Sequence, residues 1–550
     1  MATTKPAIEA DSEMRPSIER FWADEGNLER VYVVRHSPTR RNRMTEFYKA
    51  TLADLKKRDF APVGADGQVD YVLLRNYCEK HINELSNEEK DEAKYANLIP
   101  FAKEITDLEE ARRRMEPVDS EKAAVALNSL DKELKELAPK IGDKLKGSKF
   151  EGNQAALAVK NLRDTLQTWF NFYNGYDPLF TWWCDAPYKA VDKELETYTG
   201  VLKEKIVGVK PDDDKAIVGN PIGRDALIDA LKYEMIPYTP EELLKIADEE
   251  YAWCLTEMKK AAKELGYDDW KKALEYVKQQ HVEPGKQPAL IRELALEAIK
   301  FVKDRDLVTV PPLAEESWRM TMMSPEQQLV SPFFLGGETI MVSYPTNTME
   351  QDAKMMSMRG NNRYFSRATV QHELIPGHHL QGFMMDRYKP YRQGFGTPFW
   401  IEGWALYWEM LLWDQGFPRT PEEKIGMLFW RMHRCVRIQF SIRFHLGDLT
   451  PEQCIDMLVD KVGHERANAE GEVRRSLNGS YPPLYQAAYM LGGLQFRALH
   501  HELVDSGKMT NKEFHDAILH ENDIPVEMVR AILTHQKLAP DYSTTWRFRG

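Results

Sequence analysis

Apolar residues recur three and four positions apart through most of this 550-residue chain, with lysines and acids between them. That is the period of an amphipathic helix. In residues 121–147, Val125, Leu127, Leu130, Leu134 and Leu137 keep the spacing, and the segments 153–175 and 241–266 repeat it, each ending at a glycine. Thr239-Pro240-Glu241-Glu242 is a helix start: a capping hydroxyl, proline in the first turn and acids at the positive end of the dipole. Strand signals are few, the best being Glu338 to Tyr344, entered through Gly336-Gly337 and stopped by Pro345. The pattern predicts a mostly α protein with a small β-sheet near the chemistry. A Pro/Gly-bearing break near 207–223 reads as a loop between helical blocks, and Thr309-Val310-Pro311-Pro312 opens the half that carries the chemistry. The domain reading is a flexible 1–15, a helical N-terminal lobe at 16–308 and a catalytic lobe at 309–550, with the N-terminal helices as the other wall of one cleft.

Composition narrows the function. Lys+Arg 74 against Asp+Glu 86 gives a net charge of −12, which argues against a nucleic-acid binder needing a basic face. No run of 18 apolar residues occurs, so no membrane span is expected. The five cysteines are scattered and form no C-x-x-C pair, which leaves out a disulfide framework and a cysteine zinc site. The first fifteen residues hold no apolar leader core. The location expected from them is cytoplasmic, or periplasmic or secreted if a leader has been removed. The aromatic run at 168–183 reads as helix-packing core, and Gly336-Gly337 and Gly492-Gly493 lack the context of a phosphate loop. Nothing in the pattern fixes an oligomeric state.

The chemistry concentrates at His372-Glu373-Leu374-Ile375-Pro376-Gly377-His378-His379. In H-E-x-x-H, two imidazoles one helical turn apart reach one zinc and the glutamate serves as general base. Here Pro376 stands at the fifth position. Proline cannot donate to the carbonyl four residues earlier, so the helix must break or bulge, and Gly377 permits re-entry. Looping out two residues would set His378 where the second ligand belongs. His379 is the reserve, because seven residues along a straight helix is about 10 Å from His372. The third ligand comes from Thr397 to Glu409, where Glu402 lies among Trp400, Ile401, Trp404 and Leu406. A carboxylate in that company needs a cation or metal to stay ionised. Glu409, seven positions on, supports the ligands from behind or substitutes for one. Arg434, Arg437 and Arg443 are dense enough to clamp a peptide carboxylate.

The string from His372 to Gln381, with EGWALY at Glu402 to Tyr407, resembles the DUF885 family of bacterial proteins. These look like gluzincin-type zinc metallopeptidases, similar in arrangement to thermolysin-like, M3 and M32 helical peptidases. The likeness runs from about Gly219 to near the C-terminus. It implies a two-lobed helical body around a cleft that admits unstructured peptides, one Zn2+ per chain on His372, His378 and Glu402, and Glu373 as base. The family's Pro-Gly-Gln-x-x-x-Tyr-x-x-Gly pattern reads here Pro483 to Gly492, with Tyr489 and Gly492 kept and the Gly-Gln pair replaced. Tyr489 would then polarise the scissile carbonyl, with Tyr485 beside it on the substrate. Of an Asp-x-Gly-Leu-His stretch only His445 survives, a fallback for the same role. The function expected is hydrolysis of small peptides, with carboxypeptidase or dipeptidase action favoured by the arginines. A metal-dependent hydrolase of a non-peptide amide or ester, and a metal-free peptide-binding protein, are the alternatives.

Overall fold

The computed structural model describes residues 12–213, 216–330 and 333–549. It is mostly α-helical. The sheet among the described residues is one parallel pair, β1 (Arg319–Met322) beside β2 (Thr339–Val342), with Arg319 opposite Thr339 and Met322 opposite Val342. β2 is the expected strand. β1 is too short, at four residues, to declare a period. No helix among the described residues is long and apolar enough to cross a membrane.

The chain divides into two compact units, one formed by Pro16–Asp59 and Leu74–Asn220, the other by the described residues up to Arg15, Phe60–Leu73 and everything from Pro221. The division therefore falls at Asn220, not at 308. Residues 221–308 join the unit that carries the chemistry because the helix Pro240–Glu264 packs along Pro421–Leu446, where buried Glu250 and Arg431 pair at 3.0 Å. Of the flexible start expected at 1–15, residues 1–11 lie outside the described residues, while Met14 is buried and Arg15 opens the helix Arg15–Val31.

In the smaller unit Leu127, Leu130 and Leu134 of Ser120–Leu137 share one core with Leu162 and Trp169 of Lys149–Tyr173, and Pro178–Leu202, which carries Leu195, packs on both helices. The first of these helices stops at Leu137, short of the expected 147, passing into a 3-10 turn that contains Pro139. Val125, expected on the apolar face, is exposed. The aromatic run is only partly core: Trp169, Phe170 and Phe180 are buried, whereas Tyr176 and Trp182 are 86% and 82% exposed.

In the larger unit Thr397 caps the glutamate helix (Pro398–Asp414) by accepting from the Phe399 N–H, and Gly416 closes it at φ 74°. Trp400, Trp404 and Trp408 on this helix are fully buried. The tyrosine helix (Tyr485–His500) lies against it glycine to glycine. A Cβ on Gly403 would come within 2.6 Å of Gly492, and one on Gly492 would overlap the Phe399 carbonyl. The Gly492-Gly493 pair thus serves helix approach, which brings Tyr485 to Glu402. Leu290, Leu294, Ile340, Val342, Val370 and Leu374 form a second core that ties β2 to the first histidine helix, Arg363–Glu373. Replacing Gly492 by alanine forces the two helices apart, and overpacking of this kind should lower the unfolding free energy by about 3 kcal/mol. Urea unfolding followed by tryptophan fluorescence measures it; an unchanged midpoint would refute the close-approach argument.

Candidate metal centre

The first histidine helix ends at Glu373, and the second, His378–Met385, begins five positions later. Between them the Ile375–Pro376 bond is cis, and the Pro376 carbonyl accepts a 2.9 Å hydrogen bond from Trp404 Nε1. Gly377 donates to the Gln371 carbonyl at 3.1 Å, and a Cβ there would overlap the His372 carbonyl. The break expected at Pro-Gly is therefore built, and only glycine fits its tightest point.

This break turns two imidazoles toward one carboxylate. His372, His378 and Glu402 offer ligand atoms that all lie within 4.8 Å of one another. Glu402 Oε2 is 3.3 Å from His378 Nε2 and 3.7 Å from His372 Nε2. Tetrahedral zinc with bonds near 2.1 Å separates its ligand atoms by about 3.4 Å. Each imidazole is committed at its other nitrogen: His372 Nδ1 lies 2.7 Å from Glu409 Oε1, and His378 Nδ1 lies 2.6 Å from Gln381 Oε1. A proton on each Nδ1 leaves both Nε2 lone pairs facing the same point. Glu402 Oε1 accepts from the Tyr485 hydroxyl, while Oε2 is buried with no hydrogen bond. A buried carboxylate oxygen without a donor is a site for a cation. Two imidazoles and one carboxylate, with a side open to a cavity, form a zinc-type donor set.

The protonation states follow. Burial opposes charge on Glu402, yet the two histidines hold its carboxyl well below the ordinary range. Burial also works against charge on His378, but Glu402 raises it to about 9. Glu373, 8% exposed, has its carboxyl pushed up by burial. Burial likewise raises the Tyr489 hydroxyl, to about 12.

The three ligands, Glu373, Tyr485 and Tyr489 line a cavity of about 460 Å³. Every described residue that lines it belongs to the larger unit. The Tyr489 ring stacks at 6.2 Å on His372. Gly336 lies so close to Glu373 that a Cβ would overlap its carboxylate, and Gly337 N–H donates to the Glu373 carbonyl at 3.3 Å. Arg434 and Arg437 reach the cavity.

Four expected residues do not, Glu409 among them, which stands behind His372 at its Nδ1. His379 turns away, its Nε2 2.7 Å from the Ala314 carbonyl. His445 stands eleven residues beyond Arg434 on Pro421–Leu446, about 16 Å along the axis, and Arg443 lies in the last turn of the same helix. Helical rise alone takes both out of the site. Sequence reasoning missed Gln381, though it sits one turn from His378 and that spacing was available. It also missed Glu472 and Arg475, which look like an ordinary charged helix face in Arg466–Leu477 but are buried.

Residues 29–533 match the family described as "Bacterial protein of unknown function (DUF885)". No curated protein matches the chain. A candidate lipoprotein of unknown function from Shewanella oneidensis is similar in structure, with a TM-score of 0.70 and 17% identity over 95% of this chain and 100% of that one. A candidate lipoprotein from Colwellia psychrerythraea aligns at a TM-score of 0.52 and 19% identity, covering 76% and 77%. At these identities the likeness is one of fold.

Two substitutions test the geometry. Glu409→Ala removes the acceptor from His372 Nδ1 and should weaken zinc binding about 10- to 100-fold. Gly377→Ala should abolish it. Competition with a chromophoric chelator reads both; wild-type affinity in either would refute the arrangement.

Proposed function

The chain belongs to the DUF885 family, and from its site we propose that it is a zinc-dependent metallopeptidase hydrolysing peptide bonds of small unstructured peptides. The observation that carries this reading is the buried, donorless Glu402 Oε2 facing two imidazole Nε2 atoms, with Glu373 lining the same cavity. In this reading His372, His378 and Glu402 hold the metal and Glu373 transfers the proton, as the sequence resemblance to gluzincin-type peptidases implies.

Bound there, zinc supplies Lewis acidity toward a carbonyl oxygen and eases ionisation of a water near neutral pH. The chain's own groups do the rest. Glu373 takes a proton from the attacking water as its oxygen bonds to the carbonyl carbon. The same carboxyl then delivers that proton to the amine nitrogen as the C–N bond breaks. Burial raises its pKa and so favours the protonated form needed for the second half. Tyr489, protonated at neutral pH with its hydroxyl near 12, donates to the carbonyl oxygen as charge gathers there. Tyr485 holds Glu402 in place by donating to Oε1. The described neighbours are candidate lipoproteins, which favours a secreted or envelope setting over the cytoplasmic expectation.

Glu373→Gln should retain zinc and lose at least 100-fold in kcat, the scale of a general base. His372→Ala should lose both zinc and activity. Mass spectrometry of a peptide mixture digested with and without a chelator reads the activity. Full cleavage by Glu373→Gln, or cleavage indifferent to the chelator in the wild type, would refute the proposal.

A further inference from the structure

The cavity also receives a group of buried charges that the hydrolysis above does not use. Arg434 and Arg437 come from Pro421–Leu446 and Arg475 from Arg466–Leu477; all three line the cavity and are 5%, 3% and 8% exposed. One fully buried carboxylate, Glu472, serves two of them. Its Oε1 is 2.6 Å from Arg437 Nε, and its Oε2 is 3.8 Å from Arg475 Nε. Arg434 finds a carboxylate only at 4.0 Å, that of Glu409, which already pairs with His372. Arg434 Nε, Arg437 Nη1 and Arg475 Nε are buried and make no hydrogen bond. Aromatic faces take part of the charge: Arg434 and Arg437 lie 4.6 and 4.4 Å from the centre of Tyr489, and Arg475 lies 5.2 Å from that of Tyr481. A ring face attracts a guanidinium but does not satisfy its fork of N–H donors, which matches a carboxylate bidentately. Cations outnumber the acid between them, and all three arginines line the cavity a substrate would occupy. Tyr489, against whose ring Arg434 and Arg437 rest, also stacks on His372, so the arginines and the metal ligands share one neighbour.

We propose that the arginine end of the cavity is a subsite for a carboxylate of the substrate, held by Arg434, Arg437 and Arg475 with Glu472 fixing the last two. The chemistry has two sources, the C-terminal carboxylate of a peptide and an acidic side chain. The substrate class rests on the peptidase reading; carboxylate binding itself does not.

Two measurements separate these. Calorimetry on chelator-treated full-length protein compares N-acetylphenylalanine with its amide, so that zinc cannot serve as the carboxylate's partner. The acid should bind at least tenfold tighter, and Arg434→Gln and Arg475→Gln should each erase that preference. Equal binding of acid and amide by the wild type overturns the subsite, whether or not the variants fold. A retained preference in variants with wild-type melting temperatures also overturns it. The second measurement compares hydrolysis, by the zinc-loaded wild type, of a peptide as free acid, as C-terminal amide, and as amide with an acidic last residue. Cleavage of the free acid at least tenfold faster than both amides identifies the terminal carboxylate. Restored cleavage of the acidic amide identifies the side chain. Equal cleavage of all three overturns the subsite and leaves the peptidase reading standing, whereas acid-selective binding with no cleavage overturns the peptidase reading and leaves the subsite.

Discussion

Glu402 is a carboxylate on a helix whose neighbouring tryptophans are fully buried, and one of its two oxygens has no hydrogen-bond donor. Burying an ionised carboxylate is costly unless cations or donors compensate it, and the surrounding structure is arranged around that cost. Two histidines stand opposite the bare oxygen, and Tyr485 covers the other. Glu409 and Gln381 hold the far side of each imidazole. The arrangement settles where positive charge must go before any substrate is considered.

Close backbone approach makes this possible. The Gly377 α-carbon fits beneath the His372 carbonyl, Gly336 fits against Glu373, and Gly403 meets Gly492 across two helices. At each position a side chain would occupy space that a functional group or its supporting backbone now takes. Glycine loses more conformational entropy on folding than any other residue, so the site spends stability for proximity. The flanking tryptophans and the core under β2 offset it through buried apolar area.

Much of this was legible in the sequence. Helical period, the capping at Thr239 and Thr397 and the interruption at Pro376-Gly377 are local properties, and local rules predict them. His372, His378 and Glu402 could be brought together because the residue count across a Pro-Gly break sets which histidine returns toward His372 and Glu402. What escaped was tertiary. Arg475 and Glu472 repeat the pattern of a solvated helix, and only packing reveals that they are buried. His379 keeps a heptad spacing from His372, but the break rotates it toward Ala314. The unit boundary moved to Asn220 because a long-range packing of Pro240–Glu264 on Pro421–Leu446 outweighs the Pro-Pro signal at 311–312.

What fills the space before Glu402 Oε2 decides whether this is a zinc site. Crystals of the protein grown with zinc, measured on either side of the zinc absorption edge, give the direct answer. One strong anomalous peak per chain is expected, about 2.1 Å from His372 Nε2, His378 Nε2 and a Glu402 oxygen. A structure with no peak there, or with Glu402 satisfied instead by an arginine or lysine, would contradict that expectation.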